Sequence, residues 1–197
     1  MDHAAVVSTV AAPQPPAVIA VAPVTDTVAV IPVAPATEAG LAVVAEARWP
    51  ESERDQTPPA LPGFIVSSFS PIAAETAARC LSRRPTGSGD GSATAVIIAS
   101  ARGDLESAAH VAEAVDSSGT LGPLLFFQSV PNAVAGHIAA RWNLTGPVVC
   151  VADRASALEA AALLIEDGDA DEALVLHIDG AAHAVLLRAE SPGDQQP

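Results

Sequence analysis

Residues 146–160 read Gly-Pro-Val-Val-Cys-Val-Ala-Asp-Arg-Ala-Ser-Ala-Leu-Glu-Ala, and this stretch decides the fold. The apolar run 148–152 has the length of a buried strand, and the Gly-Pro pair before it ends the preceding helical pattern. Asp153 is a favoured N-cap residue, and Gly168 fits the left-handed position that follows a helix. A strand followed at once by a helix is the first half of a β-α-β unit, so the stretch predicts an α/β protein.

The same alternation of apolar runs and helical spacing continues on both sides of this stretch. We expect strands over 41–47, 94–99, 148–152, 173–178 and 184–187, and helices over 71–83, 104–115, 131–142 and 153–167. Helices of this length between strands form crossovers, which predicts a mostly parallel sheet of about five strands with flanking helices. Ser70-Pro71 has the composition of an N-cap and a first helical residue. The helix that follows places one set of residues on a common side: Ile72, Ala73, Thr76, Ala77, Cys80 and Leu81.

Composition divides the chain into three segments. Residues 1–37 are rich in Ala, Val and Pro. Because proline removes a backbone donor and blocks helix formation, this segment is predicted to be a disordered, extended tail that folding does not require. Residues 38–190 form the predicted folded domain, and residues 191–197 a short disordered C-terminus.

The charge balance excludes two classes of partner. Nine basic residues, all arginine, face 23 acidic residues, so the formal net charge is −14. Such a chain is repelled by nucleic acids and by anionic membranes. Every apolar run of 18 residues contains proline or charge, and no Lys or Arg precedes Arg48, so neither a membrane span nor a secretory signal is expected. We therefore expect a cytoplasmic protein, and the alanine richness without lysine is typical of GC-rich bacterial coding sequences.

The candidate metal ligands lack the spacing that metal sites need. Cys80 and Cys150 have neither a CxxC companion nor a nearby His/Cys cluster, so both are predicted to be small core hydrophobes. Asp167, Asp169 and Asp171 are interpreted as a solvated turn, because a calcium loop needs further ligands. No metal and no cofactor are predicted.

One segment carries a family resemblance. Gly136-His-Ile-Ala-Ala-Arg-Trp-Asn-Leu-Thr-Gly146, the Gly-Pro strand, and the Gly168-Asp-Ala-Asp171 turn together resemble the N-terminal half of the β-ketoacyl synthases. The resemblance extends over about 40–190, and the Pro- and Ser-Pro-containing opening near 61–71 is similar to that of short ketosynthase-like proteins of aryl-polyene and type II polyketide systems. It implies half of a thiolase fold, with His137 at a position where the family tolerates many polar residues.

The turn between the strand 148–152 and the helix that follows it, here called the elbow, departs from the pattern of an active ketosynthase. There the resemblance implies a nucleophilic cysteine at the helix start, where the helix end lowers the thiol pKa. Here the elbow reads Asp153, Arg154, Ala155 and Ser156, and the resemblance implies that Arg154 lies about where the nucleophile should be. A guanidinium can neither attack a thioester nor be deprotonated. This is similar to a chain-length factor, the inactive partner of a ketosynthase. The family's two catalytic histidines belong to a C-terminal half without a counterpart in these residues, so no catalytic residue is predicted.

Other nucleophiles and bases are present in less suitable contexts. Cys150 lies in mid-strand and is expected to point into packing, and Ser156 has an adjacent acid but no histidine in suitable sequence context. His177 and His183 flank a predicted hairpin at Asp179. With that carboxylate they could act as a pair of general bases or hold a metal ion. Alternatively, they are strand histidines with satisfied hydrogen bonds, which is the interpretation we favour.

Three hypotheses of function follow. In the first, the chain pairs with a ketosynthase or a chain-length factor in polyketide or fatty-acid-type biosynthesis. The resemblance then implies an interface at Val148, Val149, Cys150 and Val151, and a segment next to the product tunnel that comprises Phe126, Phe127, Gln128, Ser129, Val130 and Asn132. In the second, it is an acyltransferase or thioesterase with a rewired elbow. In the third, it recruits an acyl carrier protein through Arg79, Arg83, Arg84 and Arg141.

Overall fold

The structure is a computed structural model that describes residues 36, 40–85, 93–117, 119, 122, 125 and 128–190. The described elements are, in chain order, β1 Leu41–Trp49, α1 Phe69–Ser82, β2 Thr94–Ala99, α2 Leu105–Asp116, α3 Pro131–Trp142, β3 Val148–Val151, α4 Arg154–Glu166, β4 Glu172–Asp179 and β5 Ala181–Ala189. The predicted bounds of β2 and α3 are confirmed to the residue.

The five strands form one sheet in the order β1-β5-β4-β2-β3. Strand β2 pairs in parallel with both β3 and β4, whereas β4–β5 and β5–β1 are antiparallel. The expected mostly parallel sheet is therefore only partly correct. The reason lies at Gly180, whose φ of +82° makes a tight turn from β4 into β5 and leaves no room for a crossover helix.

Strand β2 is the centre of the core, and all six of its residues are buried. Its side chains alternate between two apolar clusters, as a strand with a period of two residues requires. Val96 and Ile98 pack on the side covered by α1 and α3, which we call the α1 face. Ala95 and Ile97 pack on the side covered by α4, which we call the α4 face.

Helix α1 begins two residues earlier than its sequence suggests. Its N-cap is Ser68, whose side chain makes no capping hydrogen bond, while Ser70 lies within the first turn and is buried. The predicted N-cap at Ser70 is therefore wrong. The predicted buried side of the helix is confirmed, since Ile72, Ala73, Thr76, Ala77, Cys80 and Leu81 are all buried.

Strand β3 lies at one edge of the sheet, and this corrects the expectation of a buried strand. Within the described part of the chain β3 pairs with β2 alone, and its residues alternate between exposed and half-buried. Val149 and Val151 pack against the α4-face cluster. Cys150 is exposed, so the prediction that it points into packing is wrong. A strand with one neighbour exposes side chains that a second neighbour would cover.

The first and the last strand of the described chain, β1 and β5, are paired, and their outer ends lie together. Leu41 of β1 pairs with Ala189 of β5, and the Glu190 amide donates a 3.0 Å hydrogen bond to the Gly40 carbonyl. Of the predicted tail 1–37 only Ala36 is described, and it is buried in the α4-face cluster. Residues 191–197 lie outside the described residues.

Gly146 holds the entrance to β3 against the start of β2. Its amide donates a 3.1 Å hydrogen bond to the Thr94 carbonyl, and the Pro147 carbonyl accepts one of 2.9 Å from Val96. A β-carbon at Gly146 would lie 2.5 Å from both the Ala95 nitrogen and the Thr94 carbonyl carbon. The Gly-Pro pair is thus explained by the close approach of two backbones, which only glycine permits.

Gly146→Ala is expected to lower the free energy of unfolding by at least about 2 kcal/mol, because the added methyl group meets backbone that must move. The matched control is Gly136→Ala in α3, where an added β-carbon has no neighbour within 4 Å among the described residues outside its own helix. That change is expected to raise the free energy of unfolding by up to about 1 kcal/mol. Chemical denaturation measures both, and equal stability of the two variants would contradict the close approach.

Candidate functional site

The turn between β3 and α4 carries the predicted elbow, and Asp153 caps the helix there. The Asp153 carboxylate accepts hydrogen bonds from the Ser156 amide at 2.9 Å and from the Ser156 hydroxyl at 3.0 Å. The hydrogen bond from the Ser156 amide is the largest of the effects that hold the pKa of Asp153 below its usual range. A carboxylate therefore occupies the start of α4 and caps it.

Among the other elbow residues, Ser156 alone carries a possible nucleophile, its hydroxyl. Arg154 is the first residue of α4 and is half-buried, and Ala155 beside it is exposed. The Ser156 hydroxyl is engaged as a donor to Asp153. A negative charge at this position raises the pKa of any nearby thiol and so opposes thiolate formation.

Cys150 lines an open groove of about 290 Å³ at the ends of β2 and β3. The other lining residues are Ile98, Ser100, Gly103, Pro131, Val151 and Ala152. Partial burial in this groove raises the pKa of the Cys150 thiol. Cys80 is fully buried in α1, where burial raises the pKa of its thiol to about 12. Neither thiol has the lowered pKa of a catalytic cysteine, and the prediction of a core residue holds for Cys80 alone.

The predicted histidine hairpin is present. His177 of β4 pairs in register with His183 of β5, and His177 Nε2 lies 3.1 Å from Asp179 Oδ2. His183 is buried with its Nε2 3.6 Å from Glu46 Oε2, and burial lowers the pKa of His183. Because the Ser156 hydroxyl donates to Asp153 and the His177 contact is with Asp179, these groups form no Ser-His-Asp relay.

No metal-binding cluster occurs in the described residues. A search of them finds no group of three or more His, Cys, Asp or Glu side chains placed to hold an ion. Asp167, Asp169 and Asp171 are exposed, and the Asp171 carboxylate accepts a 2.7 Å hydrogen bond from the Ala93 amide before β2. Their interpretation as a turn agrees with this geometry.

The predicted tunnel-adjacent segment is described only in part. Phe126 and Phe127 lie outside the described residues. Gln128 lines a narrow cleft with Asp104 and Ser107 at the start of α2, and Val130 is the exposed N-cap of α3. The remaining two, Ser129 and Asn132, flank that cap.

Three of the four arginines proposed for carrier-protein contact form ion pairs within the chain. Arg79 lies 4.6 Å over the Trp49 ring and makes two hydrogen bonds to Asp55, of 2.8 and 2.9 Å. These bonds are the main cause of the lowered pKa of Asp55. Arg83 pairs with Glu51 through both carboxylate oxygens, and Arg84 pairs with the buried Glu172.

Arg141 is the remaining member of that set. It is exposed and lines an open groove of about 350 Å³ between α1 and α3 together with His137 and Glu75. His137 also contacts Phe64 edge to face, with ring centroids 5.8 Å apart. A single arginine in a groove that also contains a glutamate is a weak basic patch.

Sequence reasoning missed the exposure of α2. Ser107 is its one buried residue, and Leu105, Ala108, Ala112 and Val115 are all exposed. Their spacing of three and four residues was visible in the sequence and is typical of a contact surface. It gives no indication of whether the contact lies within the chain or outside it.

The described residues contain no helix that is long and apolar enough to cross a membrane.

The sheet, its helices and the elbow between β3 and α4 define a thiolase-like unit, the fold of the ketosynthases. A family model described as the N-terminal domain of β-ketoacyl synthase matches residues 44–194. The chain therefore belongs to the β-ketoacyl synthase family, and the predicted family and fold are confirmed.

Solved structures give the same fold. A ketosynthase (ApeO) in complex with its chain length factor (ApeC) from Xenorhabdus doucetiae is similar with a TM-score of 0.59 and 17% identity, covering 78% of this chain and 80% of that chain. The ishigamide ketosynthase/chain length factor gives 0.57 at 19% identity, covering 70% of this chain but only 48% of that chain. A type II polyketide synthase acyl-carrier protein in complex with its ketosynthase (AntDE:AntF) gives a TM-score of 0.50 at 13% identity, covering 75% of this chain and 62% of that chain. A search of curated proteins finds no match.

The two thiols are expected to differ sharply towards an alkylating reagent. At pH 8 the native chain should gain one iodoacetamide adduct, on Cys150, more slowly than a free thiol because its pKa is raised. Cys80 should react only after denaturation. Intact mass spectrometry measures both steps, and Cys150→Ser should remove the native adduct. Two adducts on the native chain would contradict the burial of Cys80.

Proposed function

We propose that this chain is a non-catalytic, chain-length-factor-like subunit that pairs with an active ketosynthase in acyl-carrier-protein-dependent polyketide or fatty-acid-type biosynthesis. The proposal concerns a binding partner and not an enzyme. Its two parts, the silent elbow and the pairing surface, rest on different observations.

The capped elbow carries the first part. Asp153 places a carboxylate on the helix end and uses the Ser156 amide and hydroxyl to hold it there. A condensing enzyme needs a thiolate at this helix end, and the positive end of the helix dipole favours one only when no carboxylate already occupies it. The arrangement stabilises the fold at the position where a ketosynthase performs chemistry.

The contrast between the two edges of the sheet supports the second part. Strand β1 has the features that protect an edge from pairing: a bulge between Val43 and Ala45, and the charged residues Glu46 and Arg48. Strand β3 reads Val-Val-Cys-Val, and its ladder with β2 is regular and uncharged. An edge with no such protection is expected to pair with another chain, and β3 is the strand predicted as the interface.

The similar structures support the pairing. The complex of a ketosynthase with its chain length factor from Xenorhabdus doucetiae shares the fold over 78% of this chain. The carrier-protein complex among the similar structures supports acyl carrier protein as a further contact of the assembly.

The other two hypotheses have weaker support. An acyltransferase or thioesterase needs an activated nucleophile, but the Ser156 hydroxyl donates to Asp153 and the Cys150 thiol has a raised pKa. A scaffold for an acidic carrier protein needs free basic residues, but Arg79, Arg83 and Arg84 are paired with carboxylates.

The purified chain is expected to form no covalent acyl adduct with an acyl thioester, because no activated thiol or hydroxyl lies at the elbow. The measurement is intact mass after incubation, with an active ketosynthase as the positive control. A stoichiometric adduct on Cys150 or Ser156 would show that the elbow is rewired and not silent.

Val149→Lys is expected to abolish association with the ketosynthase-type subunit, since a charge buried in a paired strand costs several kcal/mol. Co-elution of the purified subunits, followed by light scattering, measures the complex. Val148→Lys repeats the test at a side chain that is 39% exposed, so the free chain keeps its fold. Leu163→Lys on the exposed side of α4 is the control and should bind like the parent. Normal binding by both strand variants would remove β3 from the interface.

A further inference from the structure

The α4 face of the sheet is wider than the helix that covers it. Neighbouring strands lie about 4.8 Å apart, so the five strands extend over about 20 Å, whereas a helix with its side chains is about 10 to 12 Å across. Helix α4 packs over β2, β3 and β4 and reaches β5, and among the described helices it alone contributes to the α4-face cluster. Strand β1 lies beyond β5 and therefore needs a different cover.

The β1 end of this face is buried all the same. Leu41 of β1 is 3% exposed, and Val185 and Leu187 of β5 are 2% and 0% exposed. All three belong to the α4-face cluster. Ala36, which lies shortly before β1, is a further member of the cluster and is 1% exposed. The chain therefore enters the fold through the part of this face that lies beside α4.

The residues that lead into Ala36 have the composition of a covering segment. Residues 28–35 read Val-Ala-Val-Ile-Pro-Val-Ala-Pro and contain no charged or hydrogen-bonding side chain. A segment that stays in solvent typically has low hydrophobicity and high charge, and this one has neither. Pro32 and Pro35 lack the backbone donors that pairing with the free edge of β1 would use, which favours contact through side chains. The segment is therefore suited to lie on an apolar face.

The length of the segment also fits the α4 face. An extended chain that contains proline advances about 3.1 Å per residue, so residues 28–35 reach about 25 Å. Helix α4 has 13 residues and is about 20 Å long. The segment can therefore follow the whole helix from the position at which Ala36 is buried.

We infer that residues 28–35 pack beside α4, over β5 and β1, as the second covering element of the α4 face within the same chain. The inference goes beyond the proposed function and does not depend on it, because this face needs a cover whether or not β3 has a partner. Composition alone predicts that folding does not require residues 1–37. The burial of Ala36 and Leu41 instead divides that segment into a part that belongs to the folded unit and a dispensable part before residue 28.

The first test compares two isoleucines of the full chain that are both preceded by Ala-Val: Ile31 in the inferred segment and Ile19 upstream of it. Ile31→Asp is expected to lower the melting temperature by at least about 5 °C, because a carboxylate would be buried without a partner in the apolar cluster. Ile19→Asp is the matched control and should melt like the parent. Differential scanning calorimetry measures both variants.

The second test measures the contact without relying on stability. In a Cys150→Ser background the buried Cys80 is the remaining native thiol, and Ile31→Cys or Ile19→Cys adds one more. Ile19→Cys should react with iodoacetamide at the rate of a free thiol, whereas Ile31→Cys should react at least about tenfold more slowly because the side chain is covered. This protection should be the same at all protein concentrations, as a contact within one chain requires.

Two results would overturn the inference. Equal melting temperatures for the two aspartate variants, with equal reaction rates for the two cysteine variants, would leave residues 28–35 in solvent. Protection of Ile31→Cys that is lost on dilution would assign the cover to the same segment of a second copy. Where the melting temperature and the thiol rate disagree, the thiol rate decides, because it reports the contact directly.

Discussion

The seating of β3 beside β2 is the constraint on which the rest of the structure depends. Two backbones meet at Gly146 with no space for a side chain, and the parallel ladder from Val148 to Val151 follows directly. That ladder sets the position of the elbow, the start of α4 and the groove beside Cys150. It also leaves one side of β3 without a neighbour in the described chain. The same close contact thus fixes both the elbow and the open edge.

The sequence was sufficient for features that depend on local composition. The buried side of α1, the bounds of β2 and α3, and the cap at Asp153 all follow from spacing and side-chain type within about a dozen residues. The boundary error at α1 involves a distant residue. Ser68 and Ser70 are both suitable caps, and the Ser68 amide donates to Glu106, 38 residues away.

Features that depend on which strands are neighbours could not be predicted from local composition. Val-Val-Cys-Val has the same composition in a central strand as at an edge, so the exposure of Cys150 follows only from the strand order. The antiparallel pairing of β1 with β5 also depends on the strand order, whereas the hairpin of β4 and β5 was indicated by the residues around Asp179. The ion pair between Arg84 and Glu172 joins residues 88 positions apart, and no pattern in the sequence indicates it. Three of the four arginines proposed as a basic patch are likewise engaged within the fold: Arg79, Arg83 and Arg84.

The pairing of Leu41 with Ala189 brings the start of the first strand and the end of the last strand together, and a hydrogen bond between Glu190 and Gly40 closes this junction. A unit with adjoining ends can be inserted into a host protein, fused in tandem or circularly permuted without disturbing its core. This geometry lets the unit be gained or lost as one block. The order of domains along a polypeptide is then free to change while the packing inside the block stays the same.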